Sequence, residues 1–275
     1  EEFWKFSGLE ININKTEGLV LGEDDQQFEN LNIKLVSEIK ITGVTFGYDC
    51  DRVDDLNFNH ILVKMARRFN EWKGRNLSLL GKVLVSKAQG ISQLVYISTM
   101  IMVPNWVIKQ ANSLVYKFIW GGPDKITRQL ACKNYEIGGI RAPNFAVLVE
   151  ALHGSWIPRY CKPGGHGWKS FMTEELALAG CNKYCLTGNF SPNINKNRNN
   201  VLAHAIQVWS KITAPINHKD ITQILEASIW MNADISTKKG VPLCDRTRGH
   251  TLTKVKDLLN KAGFLANFDE LTQKG

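Results

Sequence analysis

No run of apolar residues in this sequence reaches the roughly 18 to 20 that a helix needs to cross a bilayer. The nearest, LVYISTMIMVPNWVI at 94–108, is shorter and is interrupted by Pro104, so no membrane partner is expected. Cysteine is sparse. Six thiols (Cys50, Cys132, Cys161, Cys181, Cys185 and Cys244) are scattered through 275 residues, 44% of them apolar. A chain with that much core does not need staples, and the pattern suits reduced thiols in an intracellular protein. Cys181 and Cys185 have three residues between them, and His250 follows Cys244 by six. A structural zinc site usually takes two close ligand pairs. The second pair is missing here, so ordinary thiols are the favoured reading and metal binding by these four stays open. Neither GGPDK (121–125) nor KPGGHG (162–167) ends in the Gly-Lys-Ser/Thr of a phosphate-binding loop. No serine–histidine–acid order appears in the tail, and His166 reads as an exposed loop residue. The chain opens on Glu1-Glu2-Phe3, without methionine and with first residues that read as the middle of a helix, so a piece of a longer polypeptide is expected.

Acidic residues are nearly absent from one long stretch. Residues 56–133 carry 12 basic side chains against only Glu71 and Asp124, whereas residues 1–55 carry 13 acidic against 5 basic. The remainder holds 17 basic against 11 acidic, and the whole chain is +8. A solvated helix face normally mixes both signs. A basic middle beside an acidic start is the footprint of a nucleic-acid surface.

Hydrophobic periodicity predicts an α+β chain that is mainly α. Residues 3–6 read as a helix tail stopped by Ser7-Gly8. In LEININKTEGLVLG (9–22), Leu9, Ile11 and Ile13 alternate with polar neighbours, the period of a half-buried strand. SEIKITGVTFGYD (37–49) repeats the pattern, with the polar loop GEDDQQFEN (22–30) between. A small antiparallel sheet follows from this. From Asp54 or Asp55, either able to cap a helix, the period becomes three and four through Phe58, Ile61, Leu62, Met65, Phe69 and Trp72. A second helix is expected from Ser78 to Met100 with Leu80, Leu84, Ile91, Leu94 and Val95 inward. A third opens at Pro104-Asn105 and stops at Gly121-Gly122-Pro123. These make a three-helix bundle, with Trp106, Trp120 and Trp156 read as core. Helices near 144–159, 201–212 and 250–264 and a mobile polar segment at 191–200 complete the prediction.

The order of five motifs resembles the C-terminal half of reverse transcriptases from non-LTR (LINE-type) retrotransposons. They are SGLEININKTEGLVLG, EIKITGVTFG, WKGRNLSLLGKVLVSKAQGISQLVYISTMIMVP, FIWGG and GGIRAPNF with ALHGSW. The likeness spans residues 3–160 and continues more weakly into KVKDLLNKAGFLANFDEL (254–271). It implies a palm remnant at 1–50, a thumb at 51–122 and a post-thumb helical region at 123–275. It implies RNA template and DNA primer as partners, an upstream palm and fingers and an endonuclease in the same polypeptide, and action in nucleus and cytoplasm. Lys15 of INKTE matches a lysine near the incoming nucleotide's phosphates and is the candidate general acid for the departing pyrophosphate. Gly43 matches the primer-grip turn, although Thr42-Gly43 stands where the family more often has Leu-Gly. Lys73, Arg75, Lys82 and Lys87 of the thumb are the candidate phosphate contacts, holding a duplex without reading its bases.

The resemblance also implies something missing. The family's aromatic-x-Asp-Asp signature, which holds two metal ions, belongs just before Phe3 and is not in the chain. Asp24-Asp25 sits in a polar loop and Asp54-Asp55 where a helix start is wanted, so neither stands in for it. No cofactor is expected for this chain, Mg2+ is expected for the intact polymerase, and the chain alone should not polymerise. The alternative is a stand-alone helical nucleic-acid-binding module, or an inactive relic of such an element.

Overall fold

The computed structural model describes residues 2–8, 12–20, 33–181, 192–213, 220–230 and 252–267, together with 183, 186, 190, 232, 234–237, 243 and 269–271. The fold is mainly helical with a small two-stranded antiparallel sheet. Among the described residues no helix is long and apolar enough to cross a membrane. The chain forms two compact units, 1–97 with 103–143 and 98–102 with 144–275. The divisions expected at 50 and 122 both fall inside the first.

The first unit begins with α1 (Glu2–Ser7), ended by Gly8 at φ +67°. Leu9, Ile11 and the loop 22–30 lie outside the described residues. Ile13 does not continue a strand, because Ile13–Lys15 is a short 3-10 turn. The Lys15 amide donates to the Asn12 carbonyl at 3.1 Å and to Asn12 Oδ1 at 3.3 Å. An asparagine that captures backbone in this way competes with a β-ladder. What remains is β1 (Glu17–Gly18), which pairs in parallel with β2 (Lys34–Leu35). The antiparallel pairing lies wholly within 37–49, between β3 (Glu38–Ile41) and β4 (Val44–Gly47).

α2 runs Cys50–Lys73, and its cap is Asp49, whose carboxylate accepts from the Arg52 amide at 3.1 Å. Asp54 and Asp55 therefore lie inside the helix rather than at its start. Phe58, Leu62, Met65 and Phe69 are buried as the period requires, while Ile61 and Trp72 are half-buried. The next helix is not uniform: α3 (Leu79–Val85) passes through a π-helical turn at Ser86–Ile91 into α4 (Ser92–Met100). Its inner face also differs from expectation. Val83, Gly90, Ile91, Leu94 and Ile97 are buried, whereas Leu80 and Leu84 are 53% and 67% exposed. Gly90 explains the choice. A Cβ there would lie 2.3 Å from Phe69 Cζ, so only glycine lets this face press on the Phe69 ring. α5 (Asn105–Trp120) closes the bundle, with Phe118 stacked on Phe69 at 4.6 Å and Gly121 in the left-handed C-cap. Trp106, expected in the core, is exposed and Trp120 is half-buried; a large amphipathic ring is rarely fully buried. α6 (Arg128–Ala131) and the GGIRAP turn finish the unit, with the Ile140 and Ala142 amides both donating to the Ala131 carbonyl.

In the second unit, the helix expected over 144–159 is divided into α7 (Phe145–Gly154) and α8 (Trp156–Cys161). Pro158 has no amide proton, which suits the first turn of a restarted helix and not a helix interior. α9 (Trp168–Leu178), α10 (Asn200–Ile212) and α11 (Ile221–Glu226) follow. α9 and α11 escaped the periodicity reading. Ile157, Met172, Leu176, Ala205 and Ile206 form the core, with half-buried Trp156 against it. Residues 192–199, expected to be mobile, are fastened instead to the buried carboxylate of Glu175. Asn197 Nδ2 donates to it at 2.6 Å and the Asn199 amide at 3.0 Å. The expected C-terminal helix is only a 3-10 turn at Val255–Leu258. The Asp257 carboxylate takes the amides of Thr253 and Lys254 at 2.9 and 2.7 Å, and the Val255 amide is drawn away to the Ala227 carbonyl.

Candidate nucleic-acid interface

The hairpin tip is built from two left-handed residues, Thr42 (φ +48°) and Gly43 (φ +92°), with Ile41 opposite Val44. This is a type I′ geometry, whose twist matches that of the flanking strands. Two side chains hold it. The Asn57 amide pairs with both backbone groups of Thr45, and the Tyr96 hydroxyl donates to the Thr42 carbonyl at 2.7 Å. A Cβ on Gly43 would stand 3.9 Å from the Tyr96 ring. The tip is therefore braced from α2 and from α4, with Gly43 at its exposed corner.

Lys73 and Arg75 stand together where α2 reverses into α3. The Arg75 amide reaches back to the Trp72 carbonyl at 3.2 Å, and its guanidinium lies 4.5 Å over the Trp72 indole. That cation–π contact positions the charge without neutralising it. Asn76 at φ +39° completes the reversal, and the Ser78 hydroxyl caps α3 by accepting from the Gly81 amide at 3.2 Å. Lys82 is half-buried on α3, and Lys87 is exposed in the π-helical turn. The exposed Leu80 and Leu84 lie on the same helix. Lys15 is exposed at the end of its 3-10 turn. It and Gly43 sit on other elements than Lys73, Arg75, Lys82 and Lys87.

The charges of residues 56–133, within the first unit, are one-sided. Glu71 is engaged by Arg67 at 3.7 Å and Arg68 at 3.1 Å, and Asp124 by Arg128 at 2.8 Å. With these three of the twelve basic side chains of 56–133 paired, the other nine have no carboxylate partner among the described residues. Such pairs at exposed positions contribute little to stability.

Asp24 and Asp25 lie outside the described residues; of the two acidic pairs only Asp54-Asp55 has a described geometry. Asp54 and Asp55 are neighbours on α2, about 100° apart around its axis, so they do not converge. Burial raises the Asp54 carboxyl above its usual range, and Asp51 and Asp55 push the same way. No group of three or more His, Cys, Asp or Glu able to hold a metal occurs among the described residues. Cys181 is buried, while Cys185, Cys244 and His250, the other open metal candidates, lie outside the described residues.

Sequence reasoning missed Asn57 and Tyr96. Tyr96 lies 54 residues from the turn it braces, and no local pattern encodes that pairing. Asn57 could have been suspected, as a polar residue beside Phe58 on the inner stripe of α2. No known family model matches the chain.

Proposed function

We propose that the chain is the part of a LINE-type RNA-directed DNA polymerase that follows the catalytic aspartates, and that its first unit holds the RNA–DNA duplex of template and primer. The observation that carries this reading is the set of cations without a carboxylate partner among the described residues, on a helical bundle that packs through Phe69 and Phe118. Lys73, Arg75, Lys82 and Lys87 contact phosphates, which fixes a duplex without selecting its sequence. Gly43 at the braced turn meets the primer end. Lys15, whose side chain is engaged by no described residue, is the proton donor to pyrophosphate in the intact enzyme, where upstream carboxylates hold Mg2+. An endonuclease accompanies them, and the protein acts in nucleus and cytoplasm. Alone, the chain binds and does not polymerise.

The test is affinity for a labelled RNA–DNA hybrid across a salt series. Each phosphate neutralised contributes about 0.7 to 0.9 to the slope of log K against log salt. Arg75→Glu with Lys82→Glu is expected to weaken binding and flatten that slope. Unchanged affinity and slope refute the thumb assignment. The polymerase parentage is tested separately by reading the transcript ahead of Phe3 for an aromatic-x-Asp-Asp frame.

A further inference from the structure

Between the C-terminal halves of α2 and α5 lies a crevice of about 150 Å3. Ala66, Phe69, Asn70 and Lys73 form its α2 side, and Leu114, Lys117 and Phe118 its α5 side. These spacings of three and four place one stripe of each helix on the crevice. The stacked Phe69–Phe118 pair is buried beneath it, and Ala66 and Leu114 are its half-buried apolar walls. Asn70, Lys73 and Lys117 are exposed at its rim.

Packing alone does not account for this composition. A cation near a helix C-terminus is favourable, which explains one lysine on each helix. It does not explain two lysines lining the same apolar crevice. Neither has a carboxylate partner among the described residues, and like charges so placed repel unless an anion joins them. The complement of the crevice is a small group with an apolar body and a negative end.

We infer that the crevice seats one sugar–phosphate unit of the bound nucleic-acid strand. The pentose lies against Ala66 and Leu114, and its phosphate is shared by Lys73 and Lys117. Asn70 offers the rim an amide that donates to a sugar or phosphate oxygen. A cavity of about 150 Å3 accepts a six-membered ring, so a five-membered one fits. The buried rings of Phe69 and Phe118 offer no face for a base to stack on, so the contact is indifferent to sequence. This inference rests on the nucleic-acid reading above and adds Lys117, Asn70 and the crevice to it.

The experiment uses the full chain, a labelled RNA–DNA hybrid and a salt series. Its variants are Lys73→Gln, Lys117→Gln, the double variant, and Ala66→Leu, which fills the crevice with both lysines intact. If one phosphate is shared, each single variant flattens the slope by less than one phosphate's worth. The double variant then flattens it by about 0.7 to 0.9, where two independent contacts would remove about twice that. Ala66→Leu is expected to weaken binding as much as the double variant does. The lysine variants are at exposed positions and test the idea even if Ala66→Leu folds poorly. Wild-type-like binding by a folded Ala66→Leu, or loss of two phosphates' worth in the double variant, overturns the inference while leaving the duplex reading in place. Absence of salt-dependent binding by the wild-type chain overturns both.

Discussion

The side-chain amide of Asn57 imitates a β-strand for Thr45. Its Oδ1 accepts from the Thr45 amide at 2.8 Å, and its Nδ2 donates to the Thr45 carbonyl at 2.9 Å. Asn57 is 1% exposed, so the two bonds join half-buried Thr45 of β4 to a buried side chain of α2. Asn57→Ala leaves both Thr45 groups without partners. The expected loss is about 2 kcal/mol, read as a lower urea midpoint. Asn57→Asp keeps the acceptor but sets a carboxylate against the Thr45 carbonyl, and is expected to be at least as harmful near neutral pH.

Gly90→Ala is the sharper packing test. The added methyl would sit 2.3 Å from Phe69 Cζ and 2.7 Å from Cε1. Overpacking of this kind costs about 1 to 3 kcal/mol. Phe69→Leu also destabilises by itself, because it opens space next to Phe118. Combined, the two changes should cost less than the sum of the singles, since each relieves the other. A double-mutant cycle by urea unfolding measures that coupling, and strict additivity would mean that Gly90 and Phe69 are not in contact.

The same contact shows where the sequence stopped being informative. α5 was legible from its period and from Gly121, and the strand character of 37–49 from its alternation, but not that its antiparallel partner lies within the same segment. The helix after Ser78 offered two apolar faces, Leu80 with Leu84 and Val83 with Leu94. The choice depends on Phe69, a residue of another helix. The start of α2 was ambiguous for a local reason: Asp49, Asp51, Asp54 and Asp55 are all competent caps. Lys73 and Arg75 stood out as a dense basic run. Lys117 did not, because its relation to Lys73 exists only once α2 and α5 pack.

The second unit contains a histidine pair, His153 buried and His204 half-buried, that predicts acid sensitivity. His153 Nε2 lies 2.8 Å from the Ser98 carbonyl and so must carry the proton. His153 Nδ1 is 2.7 Å from His204 Nδ1, and when both rings are neutral it accepts from the His204 N–H. Burial lowers the His153 pKa, and His204 lowers it further against the pull of the Ser98 carbonyl. Burial likewise lowers His204, with Glu150 opposing and Lys211 assisting. With folded-state values depressed below an unfolded value of about 6.5, the unfolded chain takes up protons first as pH falls. The stability is therefore complete above about pH 6.5 and declines below it, by at most about 1.4 kcal/mol per pH unit for each group. Urea unfolding followed by tryptophan fluorescence between about pH 7.5 and about pH 5.5 should show the decline. In His153→Gln/His204→Asn the midpoint should vary less over that range, whatever its absolute value.

Thr42 invites a stabilising change. At φ +48° it holds a β-branched side chain in the left-handed region, which costs roughly 1 to 2 kcal/mol for most residues and less for asparagine. Its carbonyl, not its side chain, receives the Tyr96 hydroxyl, so Thr42→Asn preserves that bond. The expected gain is about 0.5 to 1 kcal/mol, seen as a higher melting temperature. Tyr96→Phe removes the bond and is expected to cost about 1 kcal/mol. The benefit of Thr42→Asn should persist in that background, because the strain is local to the turn and independent of the brace. If the asparagine helps only when Tyr96 is present, the turn geometry is imposed by α4 and not by the hairpin itself. The tip would then be shaped by the helix that supports it, and Gly43 could be re-aimed by changes at Tyr96 alone.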